Sequence, residues 1–327
     1  MSSSKPLVIV GSIVQDCVSY TERFPNPGES VRGNDFKMGS GGKGANQGVQ
    51  AAKLGASVTM IGRVGNDMFG DANINGLKKA GVNVEYIEKS DTAPTSVACI
   101  TVDNKGTTLI LNLFKCLVLF VGENSIVVTL GANLELNVER VKELEDVIAG
   151  ATMVLCQFEI NEETNYAAFE IARKHNVTTF YNAAPGKPGM DKEILKFTDI
   201  LCTNENETEF LIGRQLSSIE DFKEASRELL KYGPKTIVVT LGAKGVLVTE
   251  KDSQEVIEVP RVKAVDTTGA GDSFCGSLTF LITKYPNKTI AELSRIASKI
   301  ASMSVQKHGT QSSYPSMKEV RENGIEL

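Results

Sequence analysis

Asp266-Thr-Thr-Gly-Ala-Gly-Asp272-Ser-Phe274 stands between a strand-like run, Val256 to Val265, and an apolar stretch that reads as a helix, Ser273 to Tyr285. The small residues Gly269, Ala270 and Gly271 let successive backbone N–H groups point at one spot. There the positive end of the helix dipole favours an anion such as a transferring phosphate. Read alone, Asp272 is equally an ordinary first-turn cap. Beside an anion cradle it suits a base that takes a proton from a hydroxyl attacking a phosphoryl group. Working outward, short apolar runs are expected as buried parallel strands: Val8 to Val10, Thr59 to Ile61, Met153 to Cys156, Thr178 to Tyr181, Ile200 to Cys202 and Thr236 to Thr240. Stretches with apolar spacing near 3.6 separate them: Gly44 to Lys53, Phe69 to Ala80, Asn137 to Ile148, Glu163 to His175, Glu205 to Ile212, Ile219 to Tyr232 and Ala291 to Lys307. This alternation predicts an α/β fold, a doubly wound, mostly parallel sheet flanked by helices, with ligands at the strand ends. A second set of strands, roughly Cys17 to Tyr20, Ser30 to Lys37, Thr95 to Val102 and Ser125 to Val128, reads as free of intervening helices. It fits a small inserted sheet acting as a lid, hinged at Gly11 to Ser12, Met38 to Gly39 and Leu130 to Gly131.

At 327 residues and 41% hydrophobic content the chain can bury a large core. A net charge of -5 and a pI near 5.4 leave no basic stripe for nucleic acid, so a metabolic enzyme is expected. The 6 cysteines are scattered without a C-x-x-C pair, as for reduced thiols rather than zinc ligands. Met1 to Pro6 is short and polar, and no membrane span is expected; the cytoplasm is the default compartment, with the nucleus also open.

The Asp266 to Asp272 run resembles the second signature of the ribokinase (pfkB) family of ATP-dependent sugar and nucleoside kinases. Upstream, Met38-Gly-Ser-Gly-Gly-Lys-Gly-Ala-Asn-Gln47, Ala51-Ala-Lys-Leu-Gly55 and Ile61-Gly-Arg-Val-Gly-Asn-Asp67 resemble the first signature and its continuation. The resemblance runs nearly end to end and implies one Rossmann-like domain over residues 1–327, with lid strands from about 13–38 and 95–130. It implies phosphorylation of D-ribose at its 5-hydroxyl by ATP, giving ribose 5-phosphate, with Asp272 as base and Gly269, Ala270 and Gly271 as the anion cradle. The alternatives are another sugar or nucleoside kinase of the adenosine kinase type, or a catalytically impaired binding protein.

The same resemblance assigns Asp16, Gly42, Lys43, Asn46, Glu159 and Asp272 to the sugar. By themselves Asp16 is equally a turn residue, Lys43 a solvated loop charge and Glu159 a strand-end charge. Nucleotide contacts fall to Asn204, Thr240, Gly242, Gly245, Gly271 and His308, the last also readable as a solvated surface histidine. Glu207 would organise Mg2+ through water, although Asn204-Glu-Asn-Glu207 is as readily a capping box. No G-x-x-x-x-G-K-[ST] loop is present. An activating K+ is implied on Asp266, Thr268, Ser304, Gly309 and Ser313, and a homodimer through the lid.

One segment departs from the pattern. Gly106-Thr-Thr-Leu-Ile-Leu-Asn-Leu-Phe-Lys-Cys-Leu-Val-Leu-Phe-Val-Gly122 is more apolar than an alternating lid strand needs. Removing Thr107 to Gly122 leaves an ordinary polar turn, so an insertion of about 16 residues is expected. It is too short and too interrupted by Asn112 and Lys115 to span a bilayer. Its origin reads as a retained intron or gene-model artefact ahead of a genuine lid extension, and if translated it is an aggregation hazard.

Overall fold

The computed structural model describes residues 5–103 and 124–327; the expected insertion at 107–122 lies outside them. In chain order the first half forms β1 (Leu7–Val10), β2 (Val14–Thr21), β3 (Gly33–Gly41), α1 (Lys43–Lys53), β4 (Val58–Gly65), α2 (Met68–Lys79), β5 (Val82–Ser90), β6 (Ser96–Asp103), β7 (Asn124–Thr129), α3 (Val138–Glu143) and α4 (Glu145–Ala149). The second half forms β8 (Met153–Gln157), α5 (Glu162–Lys174), β9 (Thr178–Asn182), β10 (Ile200–Asn204), α6 (Glu205–Ile212), α7 (Ile219–Leu230), β11 (Thr236–Thr240), β12 (Val246–Glu250), β13 (Gln254–Ile257), α8 (Ala270–Lys284), α9 (Ile290–Ser304) and α10 (Met317–Glu322).

Nine strands make one sheet in the order β13-β12-β11-β10-β9-β8-β1-β4-β5. From β11 to β5 neighbours run parallel, and β12 and β13 add antiparallel at one edge. The run Leu7-Val-Ile-Val10 is buried throughout because helices cover both faces. Its alternate residues enter two separate cores, Leu7 and Ile9 with residues of α1, α8 and α9, Val8 and Val10 with residues of α5 and α7.

A second sheet, in the order β3-β2-β6-β7, has the strands expected of the lid. The expectation that no helix separates its members fails, since α1, β4, α2 and β5 run between β3 and β6. Three crossings to the main body are tied down. The Asn133 side chain accepts from the N–H of Ile13 (3.1 Å) and donates to its carbonyl (3.1 Å), Ala132 N–H donates to Pro94 O, and Asp67 accepts from Thr95 N–H and hydroxyl at 2.7 Å each.

Other boundaries moved for local reasons. The strand expected over Val256 to Val265 ends at Ile257, where Glu258 to Ala264 leave the sheet around Pro260, which has no N–H for the ladder. The expected helix over Asn137 to Ile148 is two, divided at Leu144 (φ -98°, ψ 21°). The helix expected from Ser273 begins at Ala270. Strands β5 and β12 were not foreseen. Among the described residues no helix is long and apolar enough to cross a membrane.

Candidate active site

The carboxyl ends of β9, β10 and β11 meet the first turn of α8 around a cavity of about 180 Å3, lined among others by Lys43, Asn182, Asn204, Glu207, Thr240 and Asp272. Gly269 caps α8 in the left-handed region, at φ 75°. A Cβ there would lie 2.6 Å from the Tyr314 hydroxyl, which itself donates to Gly269 O at 3.1 Å. In the turn that follows, Ala270 N–H donates to Thr267 O. Among the described residues the N–H groups of Gly269, Gly271 and Asp272 have no acceptor, as the opening turn of a helix leaves them. Of the three amides expected in the cradle, that of Ala270 is thus occupied within the turn, and the Asp272 amide is free beside that of Gly271. Gly271 is exposed, and a Cβ on it would meet nothing within 4 Å, so the space above this turn is open to a ligand.

Asp272 is buried. Two consecutive side chains of α1 hold its carboxylate, Asn46 Nδ2 donating to Oδ2 and Gln47 Nε2 to Oδ1, each at 3.0 Å. Helices α1 and α8 approach this closely because residue 276 is glycine; a Cβ would lie 2.4 Å from Gln47 O. Gly42, at φ 89°, caps α1 with its Cα turned toward β2, where a Cβ would fall 2.8 Å from Val14 N. One residue earlier, a Cβ on Gly41 would strike the Asp16 carboxylate at 2.3 Å. Both glycines let the first loop lie against the strand that carries Asp16.

The centre gathers like charges. Burial first, then the neighbouring Glu159 and Asp272 carboxylates, push Asp16 up to about 7, with Lys43 opposing them. For Lys43, burial works against the ammonium, but Asp272, Glu159 and Glu207 outweigh it and lift its pKa above the ordinary value. Glu159 accepts from the Lys43 N–H at 2.9 Å and from the Ser12 hydroxyl. It is thus tied to the start of α1 rather than left as a strand-end charge.

On the other side of the cavity, Asn204 and Glu207 form a capping box for α6. The Glu207 carboxylate accepts from Asn204 N–H (2.8 Å) and Nδ2 (2.9 Å), and Asn204 Oδ1 accepts from Glu207 N–H (2.9 Å). Burial raises the Glu207 pKa despite the hydrogen bonds from Asn204. Thr240 lines the cavity. Gly242 and Gly245, at φ 54° and 120°, shape the turn after it but do not line the cavity, and His308 is exposed outside it.

The two loops expected to hold a monovalent cation are joined. Asp266 accepts from Thr268 N–H and from Gly309 N–H, both at 2.9 Å, and Val265 and Asp266 N–H donate to Val305 O. Ser304 and Ser313 are buried, with hydroxyls donating to Ala301 O and Thr310 O. Among the described residues no cluster of three His, Cys, Asp or Glu side chains forms a metal centre. A larger surface groove of about 560 Å3 between α2 and β5 holds none of the site residues.

Sequence reasoning passed over Ser12, Gln47, Asn182 and Gln311. Gln47 was in plain view, one step beyond Asn46; Gln311, whose Nε2 donates to Asn46 Oδ1 at 3.0 Å, is brought there only by the fold.

With this geometry in hand, the sequence matches the pfkB family of carbohydrate kinases over residues 4–115 and 115–317, two stretches that meet inside the apolar segment. It is 40% identical over 316 residues to a ribokinase of Mus musculus, covering 96% of this chain and 93% of that one. To a deoxyribokinase of Salmonella typhi it is 34% identical over 316 residues, covering 97% of both. Its structure is similar to that of Arabidopsis thaliana ribokinase complexed with ribose and ATP, with a TM-score of 0.86, 29% identity and 98% of each chain covered.

Proposed function

Because the chain belongs to the pfkB family of carbohydrate kinases, we propose that it transfers the γ-phosphoryl group of ATP to the 5-hydroxyl of D-ribose. The observation that carries this reading is the Asp272 carboxylate, fixed at both oxygens beside three unpartnered amides and facing the Asp16, Lys43 and Glu159 cluster. Asp16, Asn46 and Glu159 read the sugar hydroxyls, with Gly42 admitting close backbone approach. Asp272 takes the proton of the 5-hydroxyl as that oxygen bonds to the γ-phosphorus and the bond to the ADP oxygen breaks. The amides of Gly269, Gly271 and Asp272, with Lys43, stabilise the charge on the transferring group. Asn204, Thr240 and the turn of Gly242 and Gly245 flank the nucleotide, with His308 at its edge.

Buried Glu207, lining the same cavity, fits a carboxylate that orders the water shell of Mg2+, which offsets phosphate charge when bound with ATP. Asp266, Thr268, Ser304, Gly309 and Ser313 form an oxygen-rich junction next to the cradle that suits K+, which would stiffen it. The small sheet serves as a lid that excludes water. Its exposed Phe36, Met38 and Val127 support pairing of two chains through the lids. Five free cysteines among the described residues agree with a reducing compartment such as the cytoplasm.

The test is ATP consumption with D-ribose, 2-deoxyribose, adenosine and fructose, with and without K+. A ribose-selective, K+-stimulated rate is expected; preference for 2-deoxyribose or adenosine would reassign the substrate. Asp272→Asn should lower kcat on the order of 10² to 10⁴-fold with binding retained, and activity within threefold of the parent would overturn the base assignment.

A further inference from the structure

Behind Asp272 lies a chain of buried amides that the proposed chemistry does not use. Gln47 Nε2 donates to both Asp272 Oδ1 (3.0 Å) and Asn182 Oδ1 (2.9 Å), and Gln47 Oε1 accepts from Gln157 Nε2 (2.9 Å). Asn182 Nδ2 donates to Cys202 O (3.2 Å), and Gln157 is held in turn by Asn165 Nδ2, which donates to its backbone carbonyl at 2.7 Å. Gln47, Gln157 and Asn165 are fully buried.

The direction of every bond is set from the ends. Cys202 O can only accept, so Asn182 must turn its NH2 to it and its carbonyl to Gln47. An ionised Asp272 also only accepts, so Gln47 must present NH2 to both neighbours and its carbonyl to Gln157. No member can flip without placing two donors or two acceptors face to face in a buried site, a costly arrangement.

The geometry points to Gln47 as a positioning residue for the base: it pins Oδ1 of Asp272 and so fixes the plane in which the carboxylate meets the substrate proton. Oδ2 is held likewise by Asn46 Nδ2, whose own carbonyl is held by Gln311 from the C-terminal loop and which belongs to the sugar side of the site. Gln47 itself lines neither the cavity nor the sugar cluster, so it acts through the cavity residues it holds, Asp272 and Asn182. This inference rests on Asp272 being the base.

The experiment is a double-mutant cycle in the full-length chain, with Gln47→Met, which keeps the length and removes the hydrogen bonds, and Asp272→Asn. Product is read with labelled ATP so that low rates are resolved. Gln47→Met alone should lower kcat on the order of 10- to 100-fold, the size expected for a misplaced base, with KM for sugar and ATP within threefold. In the Asp272→Asn background it should cause no further loss of kcat. An unchanged kcat in Gln47→Met, or an equal additional loss in the Asp272→Asn background, overturns the inference. Asp272→Asn retaining parental activity would instead overturn the base assignment beneath it. If calorimetry shows Gln47→Met unfolded, Gln157→Leu, which frees the Gln47 carbonyl, takes its place in the cycle with the same two criteria.

Discussion

Asp16 illustrates a single residue held against its own preference. Burial and two neighbouring carboxylates raise it to about 7, so between the unfolded value of about 4 and pH 7 the native state binds more protons than the unfolded chain. A raised carboxyl contributes stability that is fully present at low pH and disappears as pH rises through 7. At pH 8 the ionised side chain therefore opposes folding, and Asp16→Asn should raise the unfolding free energy at pH 8 by on the order of a few kcal/mol, read as a higher Tm, with the gain vanishing near pH 3.5. The same substitution should weaken sugar binding at least tenfold, measured by calorimetry, because the proposed role of Asp16 is a carboxylate that accepts two hydroxyls. A variant no more stable at pH 8 than its parent would remove the electrostatic argument. Asp16 was legible as a candidate only through its motif. Its strain was not, because the charges that cause it come from Glu159 and Asp272, far away in sequence.

At the scale of elements, the alternation of strands and helices was readable because each strand is a continuous apolar run and each helix has one apolar face. What escaped were features set by one residue's backbone. The helix carrying the proposed base, Asp272, starts at Ala270 because Gly269 takes a left-handed conformation against Tyr314, which no periodicity reveals. Starting there changes which amides are free: the turn uses the Ala270 N–H and exposes that of Asp272. Gly271 is now the second residue of a helix, with room for a methyl group and no positive φ. Gly271→Ala should accordingly fold as well as the parent, or better by about 0.5–1 kcal/mol, yet lose turnover because the methyl group fills the space a phosphoryl oxygen needs. The paired readings are Tm and kcat. A variant that is both stable and fully active would show that the ligand does not approach this turn.

The whole molecule turns on how the small sheet is carried. Its crossings are clamped to one another by Asn133 on Ile13, Ala132 on Pro94 and Asp67 on Thr95, so the sheet is borne on a stiff frame rather than on free tethers. At its far edge, β6 and β7 pair antiparallel with Val102 opposite Asn124, and 21 residues connect those two positions. Deleting Thr107 to Gly122 would leave Asp103, Asn104, Lys105, Gly106 and Glu123, the length of an ordinary hairpin loop. Shortening the connection from 21 to 5 residues lowers its closure cost by about 1 kcal/mol, and it removes the most apolar segment of the chain. The site residues lie at the opposite end of β2, at the ends of the main-sheet strands and on α1 and α8, outside the deleted span. The deletion variant should therefore stay soluble at concentrations where the parent aggregates by light scattering, melt no lower, and keep its kcat within threefold. Loss of activity with the fold intact would mean that the segment takes part in closing the lid, and equal aggregation would mean that the hazard lies elsewhere, with exposed Phe36, Met38 and Val127 of the small sheet next to be tested.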